Sequence, residues 1–159
     1  MGKVTVEYET EVAAPLQPIW ELMTTPAGYA RWNPFIVRMD GPPILHVGAR
    51  IELHVRFEKG GRARSRELIT VFDPPMDGRA ELSYRFLGPL AVVGGIRAVR
   101  RQWLTALSAD RTQYRTEEVF EGFLTAFLPL SGIRAGFRAH GEALAAHFST
   151  SVDPAVRAR

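Results

Sequence analysis

The chain has no cysteine, and that absence removes whole classes of chemistry. Thiolate nucleophiles, zinc ribbons, iron–sulfur clusters and disulfide scaffolds are excluded. Charge of one sign is also scarce: 20 basic against 17 acidic residues leave +3. That surplus is spread along the chain and does not mark a nucleic-acid binder, so no nucleic-acid partner is expected. Long hydrophobic runs are missing too. The two longest weakly polar stretches, Leu87–Ile96 and Gly122–Ile133, fall short of a membrane span and contain Gly and Pro, so no span is expected. Met1-Gly2-Lys3-Val4-Thr5-Val6 lacks an apolar leader core, and Val6 stands where a myristoylation motif needs Ser or Thr. A cytoplasmic location is expected, and the preference for Arg and Ala over Lys suggests a GC-rich bacterial genome.

What is present is an apolar content of 46% in 159 residues, enough for one core without covalent staples. The chain shows no repeat and no linker, so residues 1–150 are expected to form a single domain, followed by a frayed tail at 151–159. Val4, Val6, Tyr8, Thr10 and Val12 alternate with Thr5, Glu7, Glu9 and Glu11, the signature of a strand with one wet face. Pro15 suits the first turn of a helix, and Ile19, Trp20, Leu22 and Met23 give it an apolar stripe. Thr25-Pro26-Ala27-Gly28 breaks it, and a second short helix is expected to end at Asn33, before Pro34.

Six strands and their turns are read from Phe35 to Glu121. Arg50–Glu58 alternates cleanly, Lys59-Gly60-Gly61 marks a hairpin, and Asp73-Pro74-Pro75 with Asp77-Gly78 marks the next turn. Leu87–Gly95 reads as an apolar loop. Strands at about 97–107 and 112–121 are joined by Ser108-Ala109-Asp110-Arg111. From about Leu124 to Ser149, Leu130, Ile133, Phe137, Leu144 and Phe148 mark a long helix. The expected fold is α+β: a curved seven-stranded antiparallel sheet around one C-terminal helix, with two short helices after the first strand. One helix cannot fill so long a concave face, and an apolar hollow follows.

Four pieces, in order, carry a family likeness: Val12-Ala13-Ala14-Pro15 running into Ile19-Trp20, Trp32-Asn33-Pro34-Phe35, Asp73-Pro74-Pro75, and Glu118-x-Phe120-x-Gly122 before the last helix. With them the chain resembles the START-like, or SRPBCC, superfamily of helix-grip proteins, and within it the polyketide cyclase/dehydrase-like branch. The resemblance implies an internal cavity and makes residues 1–150 a ligand-binding domain of that superfamily. Members bind lipids, carry hydrophobic ligands, cyclise polyketides or form one domain of oxygenases. A Rieske-type oxygenase is disfavoured by the lack of cysteine.

Parity sorts the polar residues. Tyr8 and Thr10 point inward on the first strand, and Tyr84 points inward with Leu82 and Phe86. His54 shares parity with four charged residues and faces water. On the long strand Val99, Arg101, Trp103, Thr105 and Leu107 are assigned to the inner face; on the last strand, Thr112, Tyr114, Thr116, Glu118 and Phe120. A four-residue loop at Ser108–Arg111 pairs Leu107 with Thr112, which sets Arg101 opposite Glu118. The pair is either a structural ion pair or the acid–base centre of an enzyme, with Glu118, Arg101 and Tyr114 as its catalytic residues. Tyr84 or Tyr114 would then donate to a carbonyl while Arg101 steadies an enolate. Ligand contacts are assigned to Tyr8, Trp32, Phe35, Tyr84, Trp103, Thr116, Phe120, Phe137 and His140. Glu67 is left open, because both parities of its strand are mixed. Gly132 and Gly136 are either close-packing positions or room for a ligand.

No metal site and no cofactor are expected. His140 and His147 share a helix face but stand two turns apart, too far for one ion, and His46 and His54 lie on separate segments. The expected partner is a small hydrophobic or aromatic molecule; the chain is expected to be a monomer or homodimer. Binding in the cavity is the leading reading, and a cofactor-independent cyclase or dehydratase is the alternative. A co-chaperone-like interaction domain is disfavoured by the heavily charged outer sheet face.

Overall fold

The computed structural model describes residues 2–149; the tail expected at 151–159 lies outside them. Seven strands form one antiparallel sheet in the order β1-β7-β6-β5-β4-β3-β2. They are β1 (Gly2–Val12), β2 (Ile36–Asp40), β3 (Arg50–Arg56), β4 (Arg62–Met76), β5 (Arg79–Phe86), β6 (Arg97–Ser108) and β7 (Arg111–Gly122). Helices α1 (Leu16–Met23) and α2 (Tyr29–Trp32) follow β1, α3 (Pro89–Val92) is one turn inside the expected apolar loop, and α4 (Leu130–Ser149) closes the grip. The expected α+β helix-grip architecture is what the chain adopts.

Amphipathic spacing explains α1, which buries Leu16, Ile19, Trp20 and Met23 on one face. Trp20 packs on Phe72 at 5.0 Å between ring centroids. α4 begins at Leu130, later than the expected Leu124, because Pro129 ends a separate 3-10 turn over Thr125–Phe127. Its glycines are close-packing positions. A Cβ on Gly136 would stand 2.2 Å from the Phe35 ring, and one on Gly141 would stand 2.4 Å from Tyr8. The helix therefore descends onto aromatic rings that a methyl group would push away.

Two expectations about strands change. Asp73-Pro74-Pro75 is not a turn: β4 runs through it to Met76, and the prolines fall in the irregular stretch between the Asp73–Glu81 and Met76–Arg79 pairs, where a missing N–H breaks no ladder bond. The turn is Asp77-Gly78, with φ of 51° and 74°, the left-handed pair that a tight hairpin requires.

The second change decides the site. Ser108 pairs with Arg111 across a two-residue turn, in the register expected from sequence, but a bulge at Leu107 shifts the rest of β6 by one residue. Neither Ala109 nor Asp110 has positive φ. Such a turn mismatches the strand twist, and the bulge absorbs the mismatch. Because side chains alternate with period two, a one-residue shift exchanges the two faces of β6. Ala98, Arg100, Gln102 and Leu104 are buried, while Val99, Arg101, Trp103, Thr105 and Leu107 stand on the outer face. Leu107 is 51% exposed.

Candidate functional site

Between the inner sheet face and α4 lies a cavity of about 290 Å³. Its walls are apolar: Phe35 and Ile36 before and in β2, Leu53 and Val55 on β3, Phe86 on β5, Ala98 on β6, Phe120 on β7, and Ile133 and Phe137 on α4. Polar side chains converge at one part of the wall. Glu67 comes from β4, Tyr84 from β5, Arg100 from β6 and Glu118 from β7.

Arg100 is the centre of this group and is 3% exposed. Its Nε donates to Thr116 Oγ1 at 3.1 Å, one terminal nitrogen to Tyr84 Oη at 3.2 Å and the other to Tyr114 Oη at 3.5 Å. The guanidinium carbon lies 4.2 Å from the centroid of the Phe137 ring, a cation–π contact. Burial works against its charge, but the oxygens of Tyr84, Tyr114 and Glu118 hold it protonated, above its ordinary value. Tyr114 in turn donates to Gln102 Oε1 at 3.0 Å. Among the described residues, every direct acceptor on the Arg100 side chain is a neutral hydroxyl.

The two carboxyls behave differently from surface acids. Burial raises Glu67 to about 8; the nearby Glu118 adds to this, while the Ser65 hydroxyl and Arg100 oppose it. Burial also raises Glu118 to about 7, against the pull of Arg100. Glu118 faces Arg100 across the β6–β7 ladder, yet the two form no ion pair. Burial raises the phenols of Tyr84 and Tyr114 as well. The cavity thus has one buried cation, Arg100, with the exposed Arg64 also on its lining, two carboxyls with values near neutrality, and a phenol donor. Such groups can orient a polar ligand atom or move a proton.

A buried layer supports the cavity from α2. Asn33 Oδ1 accepts from the backbone N–H of Phe35 at 3.0 Å and of Ile36 at 2.9 Å, and its amide donates to His140 Nδ1 at 3.0 Å. His140 stacks on Tyr114 at 5.6 Å and meets Trp32 edge-on at 5.1 Å. Burial, and then Arg100, hold its imidazole well below the usual range, so it is neutral.

Of the residues assigned from sequence, Phe35, Tyr84, Phe120, Phe137 and Glu118 line the cavity. Tyr114 and Thr116 lie behind it as ligands of Arg100. Trp32 and His140 belong to the supporting layer, and Tyr8 packs against Gly141 of α4. Arg101 and Trp103 are corrected. Arg101 faces outward and pairs with Glu117 at 3.7 Å, and Trp103 lies outside beneath Arg115, at 5.3 Å. The bulge at Leu107 is the reason. Arg100 takes the place expected of Arg101, and Glu67 is the member that parity left open.

His54 faces away from the cavity, as its parity indicates. Its Nε2 lies 2.7 Å from Asp40 and 3.5 Å from Glu52. This trio has metal-ligand geometry, but Arg38 sits 2.7 Å from Asp40 and Arg64 3.7 Å from Glu52. Two guanidiniums already occupy the carboxylates a cation would need. A wider groove of about 820 Å³ lies outside the grip, lined by arginines of α2 and β2–β4. It holds none of the converging buried groups.

The architecture is a helix grip, a ligand-binding fold, with a cavity that combines apolar walls and a few polar groups. The profile of the family described as polyketide cyclase/dehydrase and lipid transport matches residues 3–149, and the chain belongs to that family, within the SRPBCC superfamily. Among solved structures it is similar to the Zhui aromatase/cyclase from Streptomyces sp. R1128, with TM-score 0.76 and 19% identity over 97% of this chain and 98% of that one. It is similar to ginseng major latex-like protein 151 from Panax ginseng, with TM-score 0.75 and 12% identity over 92% and 97%. Norcoclaurine synthase from Thalictrum flavum, solved with dopamine and hydroxybenzaldehyde, gives TM-score 0.67 and 12% identity over 96% and 90%. These likenesses establish the fold. No curated protein matches the chain in sequence.

Proposed function

We propose that the protein binds a small hydrophobic or aromatic molecule in the cavity between the sheet and α4. The observation that carries this reading is the cavity itself: about 290 Å³, walled by aromatic and aliphatic side chains with a few converging polar groups. Small-molecule sites have this construction and start at roughly 300 Å³. An aromatic ligand that buries about 200 Å² of apolar surface gains roughly 5 kcal/mol before the costs of association. Apolar contact alone therefore gives weak binding, and the polar floor sets affinity and orientation.

A second reading is supported by the carboxyl pair. Glu67 and Glu118, at about 8 and about 7, face the same space as Arg100 and Tyr84. One carboxyl could take a proton that the other returns, with Arg100 and Tyr84 holding a developing enolate. That is the acid–base chemistry of a cofactor-independent cyclase or dehydratase. Native mass spectrometry of freshly purified protein, followed by solvent extraction, tests both readings. The expected spectrum carries one extra small-molecule mass that extraction releases and the bare protein rebinds. A spectrum of the bare chain alone counts against binding. Chemical conversion of the returned molecule moves the assignment to the enzyme.

A further inference from the structure

A buried guanidinium without a counter-ion is costly, because a charge leaves water at the expense of several kcal/mol unless an opposite charge replaces it. Arg100 is such a group. Among the described residues no carboxylate forms an ion pair with it. Its partners are the hydroxyls of Thr116, Tyr84 and Tyr114. These use three of the five N–H donors of a guanidinium, leaving two for something else. The group borders the cavity, so an occupant can reach it.

We propose that the ligand is a hydrophobic acid, with an aromatic or aliphatic body in the apolar cavity and a carboxylate-like anionic group as the missing counter-ion of Arg100. This inference rests on the cavity being a binding site. The other groups in electrostatic reach of Arg100 leave the place open on the acid side of neutrality. Tyr29 from α2, Tyr84 from β5 and Tyr114 from β7 are neutral phenols, and His140 from α4 is a neutral imidazole. Glu67 from β4 and Glu118 from β7 keep their protons up to about 8 and about 7. An ionised Glu118 would compete with the ligand's acid group. Anion binding therefore takes up protons and weakens as pH rises through this range.

The test uses two fluorescent probes of nearly the same shape. N-phenyl-1-naphthylamine is neutral; 8-anilinonaphthalene-1-sulfonate adds a sulfonate that stays ionised across the pH range used. At pH 6 both should bind, displacing each other one for one, with the sulfonate at least ~10-fold tighter. Raising the pH to 9 should erase most of that preference and leave the neutral probe unchanged. Arg100→Met should lose the preference, the two probes then binding about equally, with the affinities compared within the same variant. Should that variant not fold, the pH series on the wild-type protein and on the Glu67→Gln/Glu118→Gln double variant, expected to be flat, decides. Equal affinities at pH 6, a preference that survives Arg100→Met or pH 9, or sulfonate that the neutral probe does not displace would overturn the proposal. No binding of the neutral probe would instead overturn the cavity reading beneath it.

Discussion

Asn33→Ala is expected to cost about 4 kcal/mol of stability, since each buried group left unpaired costs roughly 1–3 kcal/mol. The residue is 3% exposed, and its side chain serves three partners. Its carbonyl oxygen accepts from the N–H groups of Phe35 and Ile36, which leave α2 for β2, and its amide holds His140 Nδ1. Alanine orphans all three. At a few degrees per kcal/mol, the melting temperature should fall by ~10 °C. Asn33→Asp separates the contributions, because its carboxylate still accepts from the two backbone N–H groups but cannot donate to a neutral imidazole. It should lie between alanine and wild type in a thermal or denaturant unfolding series. Near-wild-type stability of the alanine variant would show that this joint between α2, β2 and α4 does not hold the grip together.

Glu67→Gln is expected to stabilise the protein at alkaline pH. The carboxyl is 5% exposed and its value in the folded chain is about 8, against 4.5 for the free group. Between those values the folded state keeps a proton that the unfolded state has lost, so raising the pH favours unfolding. The penalty is absent below the unfolded value and complete above the folded one. A shift of this size corresponds to roughly 5 kcal/mol. Wild-type stability should therefore decline from pH 5 to pH 9. The glutamine variant should match wild type near pH 4.5 and exceed it by about 5 kcal/mol at pH 9, the full linkage expected for a buried carboxyl. Glu118 adds a decline of the same sign, complete by about pH 7. A wild-type profile flat over this range would mean that neither carboxyl holds its proton in the folded chain.

The architecture was legible because strand alternation, the helix stripe and the punctuating prolines all point one way. The wall of the cavity was half legible. Tyr84, Glu118 and Phe120 follow from parity on β5 and β7, whose wet faces are plainly charged. Arg100 was not legible, because β6 carries Arg100 and Arg101 side by side and its parity was tied to β7 through the hairpin. The turn itself follows the expected register; one bulged residue, Leu107, reverses the strand. A bulge leaves little trace in a single sequence, and here it decides which arginine is inside. Glu67 escaped because Ser65, Glu67 and Ile69 share its face, a mixed set that no alternation rule sorts. Its neighbours across the sheet are Ile51 and Phe86, and only that apolar setting reveals its burial.

The central claim is that the space under α4 takes up an apolar molecule, and filling that space tests it most directly. Ala98 is a small buried residue of the cavity wall, and Ala98→Phe would occupy the volume a ligand needs. Fluorescence titration with neutral N-phenyl-1-naphthylamine should show saturable uptake by the wild-type protein at one equivalent. The folded Ala98→Phe variant, checked by circular dichroism, should bind at least ~10-fold more weakly, as expected when most of the apolar contact area is lost. Equal uptake by the two proteins, or no saturable uptake by the wild type, would contradict the account.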